Sequence, residues 1–150
     1  MKGGYMTINA MCKSVNSALS RKSDAEDYVL ENKEWKKDVL DMERERLFSG
    51  SNADGSEIRP PYSPVTVRIK NRKGQPTDRV TLFDTGAFQG AFTMERKGDA
   101  VLFSSSDSKT EKLVDKYGEG IFGLTEDNRI MARAGSARLI LEWFREETGI

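Results

Sequence analysis

From Ala25 to Phe48 the chain has neither Gly nor Pro, and Tyr28, Trp35, Val39 and Met42 recur at spacings of seven, four and three. With Leu40 and Leu47 widening the stripe, this is the pattern of a long amphipathic helix that must bury one face. Ser23 or Asp24 is placed to cap its start, Glu26 and Asp27 suit its first turn, and Gly50 stands just past its end. A fold made only of strands has no place for such a helix. Ahead of it, residues 7–20 carry a shorter helical pattern that ends near "SRKSD".

The next stretch is opposite in character. "SGSNADGSEIRPPYSP" at 49–64 combines two Gly and three Pro with small polar residues, which predicts a turn-rich loop rather than a regular element. Its Asn52, Asp54 and Glu57 do not follow the alternating ligand ladder of a calcium loop. "VRIKNRK" at 67–73 lies beside Gly74 and Pro76 and is expected to be solvated, so the whole of 49–79 is expected to form one long loop. A loop of that length is either functional or folded on its own domain, and Pro60, Pro61, Pro64 and Pro76 stiffen it. As an arm it would reach a neighbouring subunit.

Strand signals follow. "VTLF" at 80–83 is apolar and β-branched, and two short strands, about 91–96 and 100–105, are joined through Lys97-Gly98-Asp99 as a hairpin. A helix is expected over residues 109–117 with Gly118 as its stop. Thr125, Glu126 and Asp127 open a terminal amphipathic helix in which Ile130, Ala134, Ala137, Leu141 and Phe144 recur at spacings of four, three, four and three. Gly135 within it marks a kink or a close packing contact. The reading is an α+β fold in a single domain, residues 1–150: a long N-terminal helix, a long loop, a small antiparallel sheet with a central hairpin, and a C-terminal helix. Residues 1–24 are expected to be a flexible or partner-ordered N-terminal segment.

Composition narrows the chemistry. There is no His, which removes Ser-His-Asp and Cys-His mechanisms, the common metal ligand and the usual base near neutral pH. Cys12 is the only cysteine, so it forms no intrachain disulfide or thiolate zinc site and reads as a small buried or surface thiol. Basic and acidic residues number 24 each, without the basic excess that nucleic-acid binding leaves. "MKGGYMTINAMC" has charged and polar breaks and no apolar run suited to a signal peptide or membrane span, so the expectation is a soluble, unexported chain.

One motif argues for catalysis. "LFDTGAF" at 82–88 contains the Asp-Thr-Gly of aspartic proteases, in which two carboxylates share a proton around the attacking water. A retroviral-type enzyme supplies one such Asp per chain, so Asp84 in a homodimer is the alternative reading, and "IFGL" at 121–124 faintly resembles the buttressing motif of that family. Against it, that fold is nearly all strand, whereas the stretch after the hairpin here is the helical "KTEKLVDKYG", and Phe88 stands where the family has a small or polar residue. A plainer role fits. Asp84 or Thr85 caps a short helix or turn, Gly86 supplies a permissive backbone, and Phe88 and Phe92 face the core together.

Taken in order, "DGSEIRPPYSPVTVRIKNRKG" and "VTLFDTGAFQGAF" resemble small structural proteins of tailed bacteriophages, in the virion-morphogenesis and tail-completion group. The carrying residues are Asp54-Gly55, Pro61, Tyr62, Ser63, Pro64, Thr66, Lys70 and Gly74, then Leu82, Thr85, Gly86 and Phe88, with Tyr117-Gly118 and "IFGLTEDN" as the last part. The resemblance covers about residues 40–130 and lacks the aromatic-Arg-Pro-Phe stretch found before the final helix in the commoner pattern. It implies a non-enzymatic subunit in the virion, assembled in the host cytoplasm. Such a subunit forms a ring at the neck or upper tail and joins capsid and portal to tail. The implied partners are other copies of itself and further neck, portal or tail proteins, with no membrane and no specific nucleic acid. No catalytic, cofactor-binding or metal-binding residue is assigned.

Overall fold

The computed structural model describes residues 6–150. Residues 1–5 of the segment expected to be flexible or partner-ordered lie outside the described residues. The fold is α+β. Its elements are α1 (Ile8–Leu19), α2 (Lys22–Glu31), α3 (Lys33–Phe48), α4 (Pro64–Arg72), the single turn α5 (Ala87–Gly90), β1 (Phe92–Lys97), β2 (Ala100–Ser105), α6 (Thr110–Tyr117), a 3-10 turn (Glu119–Ile121) and α7 (Glu126–Thr148). They gather into two compact units, one of the chain up to Lys36 together with Met131–Ile150, the other of Lys37–Ile130.

The first unit is helical. Ala18, Ala25 and Trp143 form its buried cluster, with Tyr28 and Phe144 against it. Trp35 Nε1 donates to the carbonyl of Ala132 at 3.0 Å, and Gly135 leaves room for that indole. A Cβ at Gly135 would lie 3.0 Å from Trp35 Cδ1, so the glycine in the terminal helix serves close packing. Cys12 is exposed on α1.

The second unit holds the larger core: Leu47, Ile58, Val80, Leu82, Phe88, Phe92 and Ile121 are buried together. Phe88 and Phe92 meet edge to face at 5.2 Å, as their spacing predicts. β1 and β2 pair antiparallel from Phe92↔Ser105 to Lys97↔Ala100, leaving the two-residue turn Gly98-Asp99 with Gly98 at φ 66°. Gly118, at φ 86°, ends α6, and Thr125 Oγ1 accepts from Asn128 N at 3.3 Å at the head of α7.

Four expectations change. The long helix is broken at Asn32, whose backbone turns extended and whose Oδ1 accepts from Trp35 N at 2.9 Å. An amide side chain can satisfy the first donors of a new helix, so Asn32 ends α2 and caps α3. Ser23 and Asp24 consequently lie inside α2 rather than at a cap.

The 49–79 segment is not one loop, because α4 occupies Pro64–Arg72. Ser63 Oγ accepts from Thr66 N at 3.2 Å, Pro64 has the fixed φ that a first helical position tolerates, and Lys70 and Arg72 fall in the last turn. "VTLF" joins no sheet; the N–H groups of Thr81 and Leu82 donate to the Tyr62 hydroxyl instead. On α7, finally, the buried residues are Ala132, Leu139, Trp143 and Thr148, while Ile130, Ala134, Ala137 and Leu141 are exposed.

Candidate functional site

The stretches 62–75 and 81–89 meet in the second unit. Ser63 starts α4 so that Lys70, two turns on, points inward and is 6% exposed. Its ammonium donates to Gln75 Oε1 at 3.2 Å and to the carbonyl of Phe83, and sits 4.8 Å from the centre of the Tyr62 ring. The Tyr62 hydroxyl accepts from Thr81 N at 3.0 Å and Leu82 N at 3.2 Å. Gln75 Nε2 donates to the carbonyl of Asp84 at 2.6 Å, and Gln89 Nε2 to that of Thr81 at 2.8 Å. Apart from the contacts of Lys70 with Gln75 and the Tyr62 ring, each is a side chain satisfying backbone that no helix or strand serves.

Within "LFDTGAF" the backbone turns twice through the left-handed region, at Leu82 (φ 52°) and Gly86 (φ 87°). The second position requires glycine on both counts: a Cβ there would meet Phe83 Cε2 at 3.1 Å. Thr85 Oγ1 accepts from Ala87 N at 3.3 Å, and α5 follows. Beside this turn lies a cleft of about 180 Å³ lined by Tyr62, Lys70, Leu82, Phe88, Leu113 and Tyr117 among others, with Lys109 also on its wall.

Asp84 lies on that cleft with its side chain half exposed, paired with Lys73. The hydrogen bond from Lys73 holds its carboxyl below the ordinary carboxylate range, against a smaller opposing effect of partial burial, and the charges of Lys73, Lys109 and Lys70 add to the lowering. It is ionised at neutral pH and bonded to a cation. Among the described residues, no group of three or more Cys, Asp or Glu side chains is arranged to hold a metal ion. Asp54, in the loop considered for calcium, accepts from Ser56 N at 2.8 Å and from the Ser56 hydroxyl.

Sequence patterning missed a second polar cluster in the same unit. Arg46, 5% exposed, donates to the carbonyls of Gly123 at 3.1 Å, Ile121 at 2.7 Å and Ser51. Glu43 is fully buried; its Oε1 accepts from Gly123 N at 3.0 Å and its Oε2 has no hydrogen-bond partner. Burial pushes the Glu43 carboxyl up to about 7, opposed by the Gly123 N–H and the charges of Arg46 and Arg44. The only signal for this pair in the sequence is its spacing from Val39 and Leu47, which places Glu43 and Arg46 on the buried side of α3.

Compared with protein-family models, with curated proteins and with solved structures, the chain matches none. Among the described residues, no helix is long and apolar enough to cross a membrane.

Proposed function

We propose that the chain is a structural subunit of a tailed-phage particle, forming a ring at the neck or upper tail that joins capsid and portal to tail. The observation that supports this reading most is the mutual anchoring of 62–75 and 81–89. Tyr62, Ser63, Lys70 and Thr85, named by the resemblance, hold backbone in place. Side chains engaged in that way are not free to bind or activate a substrate. The cleft they frame is largely aromatic and aliphatic, which suits contact with another protein surface. The ion pair of Asp84 with Lys73 favours the same reading over a protease, whose paired carboxylates must share a proton.

The test is assembly. Size measurement and negative-stain imaging of the purified chain, alone and with portal and tail-tube proteins from the same genome, are expected to show many-copy rings or a stoichiometric complex. A chain that stays monomeric in every mixture and is absent from purified particles overturns the proposal. Peptide cleavage by the purified chain, abolished by Asp84→Asn, would replace it with the protease.

A further inference from the structure

We propose that α7 pairs antiparallel with α7 of a second copy, around a twofold axis passing between Gly135 and Ser136. The helix is apolar on two faces. Ala132, Leu139 and Trp143 are buried in the chain, yet Ile130 is 56%, Met131 59%, Ile140 40% and Leu141 56% exposed, with Ala134 and Ala137 exposed between them. At about 100° per residue, Ile130, Ala134, Ala137 and Leu141 share one narrow seam, and Met131 and Ile140 flank it on opposite edges. All six lie on one continuous helix.

The order of residues fits a second copy of the same face. About the point between Gly135 and Ser136, Ala134 mirrors Ala137, Arg133 mirrors Arg138, Met131 mirrors Ile140 and Ile130 mirrors Leu141. A twofold contact sets each residue against its mirror position, which puts Ile130 on Leu141 of the second copy and alanine on alanine at the centre. Small central residues let the axes approach to about 8 Å, the close end of the range for helix pairs.

Charge selects the direction. In the antiparallel register Asp127 falls on the same side as Arg145 of the second copy and within about 1.5 Å of its height, and the symmetry makes this pair twice. Arg145 is exposed and makes no ion pair of its own among the described residues. A parallel register would instead set each Asp127 level with the other Asp127 and each Arg145 level with the other Arg145, on opposite sides of the seam, and the attractive pairs would be lost. The seam is about 16 Å long and uses six apolar side chains per copy, against about 20–30 residues a side in a standard-size interface, so dissociation is expected in the micromolar range. The contact joins identical faces, whereas ring contacts join different ones, so it stands or falls separately from the neck reading.

The experiment is cysteine cross-linking of the full chain with Cys12→Ser as background, under mild oxidation at about 100 μM, in the micromolar range above. In the antiparallel pair two copies of position 134 are about 4.5 Å apart along the axis, but two copies of position 141 are about 16 Å apart. A disulfide needs Cα atoms within about 7 Å. Ala134→Cys is therefore expected to give a linked dimer and Leu141→Cys none. Both positions are exposed, so neither change disturbs a core. Linking at both positions, as in a parallel pair, or at neither overturns the proposal. In sedimentation equilibrium Asp127→Arg should weaken dimerisation at least tenfold, and Asp127→Arg with Arg145→Asp should restore it. A double variant as weak as the single one overturns the register.

Discussion

The two units solve the same problem by different means. In the helical unit most backbone groups bond within the helices, side chains such as Asn32 serve helix ends, and Ala18, Ala25 and Trp143 are buried together. In the other unit the segments around 51, 83 and 121–123 have no regular partners, so charged and amide side chains enter the interior to meet their carbonyls. Burial of charge in this protein follows irregular backbone, not hydrophobic pattern. It implies that removing one polar side chain hurts the second unit more than a similar removal hurts the first.

The sharpest test is Arg46→Met. The aliphatic part of the side chain is kept, but one buried and two part-buried carbonyls lose their donor, and the cost is expected to be about 3–5 kcal/mol in urea unfolding of the whole chain. A loss below about 1 kcal/mol would mean that the backbone at Ser51, Ile121 and Gly123 relaxes without it, and the contrast between the units would fail.

Glu43 gives the contrast a pH signature. Its carboxyl is raised in the folded chain from 4.5 to about 7, so the folded state holds the proton more tightly than the unfolded state. That contribution is fully present below about pH 4.5, falls as pH rises towards 7, and is absent above it. A shift of this size corresponds to at most about 3 kcal/mol. Glu43→Gln keeps the acceptor for Gly123 N and cannot ionise, so its stability is expected to be flatter than that of the parent between pH 5 and pH 8. Parallel curves for the two proteins would show that Glu43 stays charged.

What could be read from the chain divides along the same line. The hairpin, α6 and the start of α7 follow from local signals: Gly98, Gly118 and Thr125 each act within a few residues of themselves. The break at Asn32 was hidden because its amide caps a helix inside a run with no Gly or Pro. The helix α4 was hidden by prolines, although Ser63-Pro64 is a good helix start. Lys70 lies in a run expected to be solvated and neither Glu43 nor Arg46 stands out, since the backbone groups they meet are 5 to 80 residues away. Of the site, Tyr62, Ser63, Lys70, Thr85 and Gly86 are named through the resemblance while Gln75 and Gln89 are not, and their meeting depends on those distant partners. On α7 periodicity found an apolar seam correctly, but could not tell which of two faces the chain itself buries.

In the helical unit the corresponding perturbation is steric. Gly135→Ala gains about 1 kcal/mol of helix propensity, but its Cβ would press on Trp35 Cδ1 at 3.0 Å and displace the indole from the Ala132 carbonyl. Overpacking of this kind costs about 1–3 kcal/mol, so a net loss of about 1 kcal/mol is expected, with a shift in tryptophan fluorescence. An unchanged emission spectrum with raised stability would show that Trp35 moves aside freely.

Asp84 should give the smallest effect, although it is the residue a motif search selects first. Its pair with Lys73 has both side chains about half exposed, where water screens the attraction and two flexible chains must be held still. Asp84→Asn is expected to change stability by less than about 1 kcal/mol at pH 7. The lowered carboxyl predicts the direction of what remains: the pair helps above the ordinary carboxylate range and its help disappears as pH falls through the lowered value, so parent and variant should converge in acid. Lys70→Met, by contrast, strips the buried ammonium from the part-buried Phe83 carbonyl and should cost more than Asp84→Asn in the same assay. If Asp84→Asn proved the more damaging of the two, the turn would depend on its carboxylate, and the distinction between interior clamps and surface pairs would not hold at this site.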